Sequence, residues 1–244
     1  MTQGDHLAAL FIYLRQHRDA DLANHERIEA WDFLNFCLKN QQYSSSQLFQ
    51  DLFVLFTLRE RQRGFFVEFG VCDGLTLSNT LLLESSYGWR GIIAEPASCW
   101  HDRLKRNRTC AISTACVWSE SGVALSFNQT NEPELSTINQ FSDRDSHAVA
   151  REGGNQYQVD TLSLLDLLVK YEAPKTIDYL SIDTEGSELA ILEAFDFSKY
   201  DIKIITVEHN FTPQREAICA LLSRNGYTNK FTQFSAFDDW YVKA

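Results

Sequence analysis

Positive charge is scarce in this 244-residue chain: 22 lysines and arginines stand against 33 acids, for a net charge of -11. That balance excludes a protein built to hold polyanions, so neither nucleic acid nor an anionic membrane is expected as a partner. No apolar run approaches the ~20 residues needed to span a bilayer. The opening residues, Met1 to His6, lack the basic region and apolar core of a secretion signal. A soluble, cytoplasmic protein is expected. The six cysteines (Cys37, Cys72, Cys99, Cys110, Cys116 and Cys219) form no C-x-x-C pair and no zinc-like spacing. They are expected as reduced thiols in apolar settings. Two basic clusters, Arg59 to Arg63 and Arg103 to Arg108, run against the overall charge and are expected as solvated helix ends.

What is present falls into two parts. Residues 1–63 read as a helical extension. Leu7, Leu10, Phe11 and Leu14 repeat at helical spacing, and Ile28, Trp31, Leu34 and Leu38 mark a second helix. Ser44-x-x-Gln47 resembles a capping box before an apolar helix from Leu48 to Arg59. Residues 64–244 alternate strand and helix patterns. Strands are expected at 65–69, 91–95, 110–118, 177–183 and 202–208, a set of apolar runs suited to a parallel sheet covered on both faces. Helices are expected at 75–85, 97–106, 161–172 and 186–195, with another opened by Thr212-Pro213 and closed by Gly226. Two further strands, 226–232 and 237–243, suit an antiparallel finish. The stretch 119–158 is polar and irregular, and is expected to act as a lid.

The most informative stretch is Phe65-Phe-Val-Glu-Phe-Gly-Val-Cys-Asp-Gly74. A buried strand breaks there into a glycine turn where a ligand can sit against bare backbone. Glu68 and Asp73 stand where the dinucleotide fingerprint G-x-G-x-x-G wants glycine, which argues against a nicotinamide oxidoreductase. A cationic ligand without phosphate, such as S-adenosylmethionine, tolerates both acids. Ligands of a doubly wound sheet bind beyond the C-terminal strand ends. At those ends this chain places Glu68-Phe-Gly70, Glu95-Pro96, Cys116-Val117, Asp183-Thr-Glu-Gly-Ser-Glu188 and Glu208-His-Asn210.

With these pieces in order, the chain resembles an FkbM-type, S-adenosylmethionine-dependent methyltransferase. The matching residues include Gly64-Phe-Phe-Val-Glu-Phe-Gly70, Asp73-Gly74, Ser78-Asn-Thr80, Glu95-Pro96, Asp178 to Glu188 and Val207-Glu-His-Asn210. Leu135-Ser-Thr137 departs from the small Ser-Gly pair expected there. The resemblance implies an α/β, class I (Rossmann-like) methyltransferase fold, with a seven-stranded, mostly parallel sheet after the helical extension. It implies methyl transfer to a hydroxyl of a small molecule or glycan. Glu68, Gly70, Asp73, Gly74 and Asn79 would line the methionine half of the cofactor, Asn79 from the first turn of the next helix. Glu95, followed by Pro96, would take the ribose, and Cys116 and Val117 the adenine. Asp183 would border the cofactor, and Asp183, Glu185 and His209 are the candidate bases. A divalent cation held by Asp183 with Glu208, His209 or Asn210 is the alternative and is not favoured. A scaffold protein that kept the fold and lost the chemistry is the competing reading. The apolar N-terminal helices are a candidate interface between identical subunits.

Overall fold

The computed structural model describes residues 3–16, 25–232 and 234–244. Three helices come first: α1 (Gln3–Gln16), α2 (His25–Asn40) and α3 (Gln50–Thr57). The chain continues through β1 (Phe65–Phe69), α4 (Leu81–Tyr87), β2 (Arg90–Ala94), α5 (His101–Asn107) and β3 (Ala111–Ser113). Next come β4 (Cys116–Trp118), β5 (Ala124–Gln129), β6 (Thr137–Ile138), β7 (Asn155–Ser163) and α6 (Leu164–Lys170). It ends with β8 (Thr176–Ile182), α7 (Glu188–Glu193), β9 (Asp201–Glu208), α8 (Gln214–Arg224), β10 (Tyr227–Lys230) and β11 (Asp238–Lys243).

The main sheet has seven strands in the order β10-β11-β9-β8-β1-β2-β3. Its β9-β8-β1-β2-β3 portion is parallel, while β10 and β11 run antiparallel, so the sheet is mixed. Strand order reverses beside β1, the kind of switch point where α/β sheets open a crevice.

Period-two alternation gives the sheet two different faces. Phe66, Tyr179 and Ile204 face α2 and α3, where Phe33, Phe53 and Trp240 join them in one core. Phe33 stacks on Phe231, and Phe53 on Trp240, contacts that add about 0.5–1.5 kcal/mol each beyond burial. The opposite face, with Val67, Phe69, Ile182, Ile205 and Val207, packs against Leu167, Ile191 and Ile218 of α6, α7 and α8. The buried stripe of α2 is Ala30, Phe33, Leu34 and Cys37, whereas Ile28 and Leu38 of the expected stripe are about half exposed. In α1, Leu7 is buried and Phe11 is exposed; Leu10 and Leu14 lie outside the described side chains. No helix among the described residues is long and apolar enough to cross a membrane.

Four local expectations are corrected. The helix expected from residue 75 starts at Leu81. The Asp73 carboxylate instead accepts from the Leu75 and Thr76 amides, and Leu77 sits at φ 58°, so the chain turns before it coils. The expected strand 110–118 divides into β3, in the main sheet, and β4, which pairs with β7 in a second, four-stranded sheet (β4-β7-β5-β6). The supposedly irregular 119–158 stretch supplies most of that second sheet through β5, β6 and the first half of β7. The Ser44–Gln47 capping box does not form, because the N-cap position of α3 is Phe49 at φ 65°. Buried Asp51 accepts from the Ser44 hydroxyl and the Ser45 amide there.

Candidate active site

Strand register places the site. One step past the paired residues Ala94, Phe69, Ile182 and Val207 come Glu95, Gly70, Asp183 and Glu208, and Asp238 pairs directly with Glu208. These five form one transverse row at the C-terminal edge. The row beneath contains Glu68, Ser181 and Thr206. All eight line a cavity of about 530 Å³.

Gly70 makes the row possible. Its φ is +74°, and a Cβ built there would lie 1.7 Å from the Asp183 carbonyl oxygen. Only glycine lets the end of β1 pass so close to the end of β8. The glycine therefore serves the meeting of two strands as well as lining the cavity. Gly74 and Asp73 do not line it. A Cβ on Gly74 would strike the Arg108 and Leu104 side chains at 2.7 Å.

Glu68 anchors the turn. Its carboxylate accepts from the Asn79 amide at 2.6 Å, the Thr80 hydroxyl at 2.5 Å and the Ser78 hydroxyl at 3.2 Å. Asn79 thus precedes α4 and is not in its first turn. Its side-chain NH₂ donates to Ser181 at 3.0 Å, while its buried Oδ1 has no partner among the described residues. Arg108, expected on a solvated helix end, is buried and donates to Glu84, Ser78, Thr80 and the Gly74 carbonyl. It braces the outside of the same turn.

Glu95 accepts from the Cys72 amide at 2.9 Å and the Ala97 amide at 2.8 Å, one on each oxygen. Each oxygen keeps a further lone pair for a hydroxyl donor. Burial, helped by the nearby Asp183 charge, raises its pKa to about 7. Pro96, next to Glu95 beyond the end of β2, continues the wall, and β4 of the second sheet adds Cys116 and Val117.

The Asp183 and Glu208 carboxyls are close neighbours, with oxygens within 4.8 Å of each other, and burial pushes the Asp183 pKa up to about 7. Burial and the Asp183 charge raise Glu208 well above its ordinary range. Two ionised neighbours repel, so one proton between the two carboxyls would relieve the pair. Glu185 is raised as well, by burial first. Its carboxylate accepts from Arg151 at 2.6 Å and from Asn210 at 3.3 Å. The Glu188 carboxylate accepts from the Thr184 and Gly186 amides, a structural role at the start of α7. Side-chain oxygens of Asp183, Glu185 and Glu208 lie within 4.8 Å of one another, a set of hard donors able to hold a cation.

His209 is a correction. Alternation along β9 turns Glu208 into the cavity and His209 to the other face, away from the cavity wall. Its Nδ1 accepts from the Phe211 amide at 3.0 Å, and its Nε2 lies 3.8 Å from Asp239, which Arg215 already holds. Burial lowers its pKa. Neither a catalytic role nor a place in the Asp183 cation set fits that position.

Arg151, Asp238 and Gln50 are functional candidates that sequence reasoning missed. Arg151 is fully buried and donates to the Leu135 carbonyl at 2.8 Å, both Asp145 oxygens and Glu185. It ties the 119–158 stretch to the sheet edge. Gln50 donates to Asp238 at 3.1 Å from the start of α3. A buried acid in the last strand was the available signal for Asp238, but nothing in its spacing marked it. Non-glycine residues with positive φ gather at the cavity: Cys72, Leu77, Glu185, Asn210 and Phe211 all line it. Backbone strain of this kind concentrates at functional sites.

A Rossmann-like sheet with a polar cavity across its C-terminal edge defines the class, a ligand-binding α/β domain. The sequence profile of the methyltransferase FkbM domain matches residues 68–238, and the chain belongs to that family. The family is one of S-adenosylmethionine-dependent methyltransferases. No curated protein matches the sequence. Methyltransferase FkbM from Methylobacillus flagellatus KT is similar in fold, at 15% identity and a TM-score of 0.50 over 96% of this chain. This chain spans 58% of that protein's length. A precorrin-6y C5,15-methyltransferase from Geobacter metallireducens GS-15 aligns at 12% identity and a TM-score of 0.44, covering 83% of this chain and 92% of that one.

Proposed function

We propose that this chain is an S-adenosylmethionine-dependent O-methyltransferase acting on a hydroxyl of a small molecule or sugar-containing acceptor. The observation that carries this reading is the Asp183–Glu208 carboxyl pair, set in one cavity with Glu95. The wall suits the cofactor. Glu95 has free lone pairs for two ribose hydroxyls, and the orphaned Asn79 Oδ1 is an acceptor for an ammonium. When bound, S-adenosylmethionine supplies a methyl group on a good leaving group.

Most of the chain's own work is positioning. Glu68, Gly70 and Asn79 border the methionine half; Pro96, Cys116 and Val117 border the adenine. Asp183 takes the proton of the acceptor hydroxyl, and Glu208 stabilises the outcome by sharing it. Glu185, held by Arg151, fixes the far wall. The reading is metal-free, because the Arg151 guanidinium already neutralises the Glu185 carboxylate through one of its oxygens and so weakens it as a partner for a cation.

The test is direct. The protein is titrated with S-adenosylhomocysteine by calorimetry, then supplied with S-adenosylmethionine and a panel of hydroxyl compounds. Cofactor binding and product formation are expected. Binding without turnover on any acceptor would favour a scaffold that kept the fold.

A further inference from the structure

Glu208 and Asp238 stand directly opposite each other on antiparallel strands. Both are buried, at 9% and 4% exposure. Like charges in that relation destabilise a sheet, and Asp183 adds a third acid on the next strand. Gln50 and Trp240 each donate to Asp238, but neither brings charge. Among the described residues the cavity wall contains no lysine or arginine, and His147 is its one histidine. Arg151 sits behind the wall and neutralises Glu185, not the row. The wall is also short of donors: Asn79 Oδ1, on a residue only 7% exposed, has no partner and borders the same cavity.

We infer that the acceptor half of the cavity is built for a molecule carrying an ammonium group beside the hydroxyl that is methylated, an amino sugar or comparable amino alcohol. The inference rests on the methyltransferase reading and names its substrate class. S-adenosylmethionine brings two cationic groups, an ammonium that the unpartnered Asn79 Oδ1 can meet and a sulfonium, and its own carboxylate offsets one of them; the three acids Asp183, Glu208 and Asp238 exceed what the cofactor neutralises. The three carboxyls share one row of the cavity wall with no lysine or arginine beside them among the described residues, and a bound ammonium supplies the missing partner. The row is a line and not a cage. Neighbouring strands are about 4.8 Å apart, so the β8 and β11 ends of the row have backbones roughly 10 Å apart. A line suits an extended organic cation better than one metal ion. Leu77 and Phe211, 48% and 72% exposed at the cavity, offer apolar surface to its carbon frame.

The experiment uses three probes with one ring and different charge: glucosamine, glucose and glucuronate. The full chain is first saturated with S-adenosylhomocysteine, followed by calorimetry. Failure to bind S-adenosylhomocysteine sinks the methyltransferase reading itself. With that complex formed, glucosamine should bind at least about tenfold tighter than glucose, and glucuronate weakest. Asp238→Asn should erase most of the preference; Glu208→Gln, which keeps the shape, repeats the test should the first variant misfold. Equal binding of glucosamine and glucose, no binding of either, or a preference that survives both substitutions overturns the inference. So does binding of magnesium alone that abolishes the glucosamine preference, which would make the row a metal site.

Discussion

Arg151 donates to Glu185 at 2.6 Å, joining the middle of the chain to the end of β8 through a contact with both side chains buried. The same guanidinium holds Asp145 at 2.8 Å. This pair turns an apparent loop into a fixed wall. Arg151→Ala should therefore cost about 3–5 kcal/mol, the usual penalty for leaving a buried charge unpaired. Urea unfolding reads it directly. A loss under about 1 kcal/mol would show that the guanidinium does not organise the wall.

Glu95→Ala should weaken S-adenosylhomocysteine binding tenfold or more, at about 1.5–3 kcal/mol for each charge-assisted bond. The Cys72 and Ala97 amides lose their acceptor as well, so Glu95→Gln is the cleaner companion. Unchanged affinity in both variants would remove Glu95 from the ribose site.

Asp183→Asn should abolish turnover while cofactor binding survives, whereas His209→Ala should lower stability and leave the pH profile of turnover in place. The base must be ionised, so the rate should rise with pH and level off above about 7. Stability has the opposite slope. A carboxyl whose pKa is raised on folding binds protons that the unfolded chain has lost. The contribution of Asp183 and Glu95 should thus be greatest below about 4, fall as pH climbs toward about 7, and stay flat above. A rate profile that follows His209→Ala instead would return the base to that residue.

Turnover should survive EDTA. Loss of activity in the chelator, restored by magnesium or manganese, would make Asp183, Glu185 and Glu208 ligands and reverse the metal-free mechanism.

Much of the sheet could be read along the chain. The expected strands at 65–69, 177–183 and 202–208 lie within a residue of β1, β8 and β9, because central strands buried on both faces are near-continuous apolar runs. The turn after β1 was less legible. Its length depends on Glu68 accepting from residues 10 to 12 positions further on, which no helical period reports. The 119–158 stretch was missed for a related reason. Its strands are short and polar, and β6 has only two residues, so their pairing is set by partners elsewhere and not by local pattern.

The sequence by itself determined the alternation of strands and helices, the glycine turn after β1, and which acids stand near strand ends. These are local matters of period, backbone freedom and composition. Which of those acids share a cavity was decided by the tertiary structure alone. Glu208 and His209 are neighbours in the chain, yet a strand sends successive side chains to opposite faces, one into the row and one behind it. Asp238 enters that row from 30 residues beyond Glu208 because β11 returns antiparallel, in a register that sets the two side by side. Arg151 reaches Glu185 only because the second sheet folds back onto the edge of the first. Register and face are properties of strand pairing, and no single strand contains them.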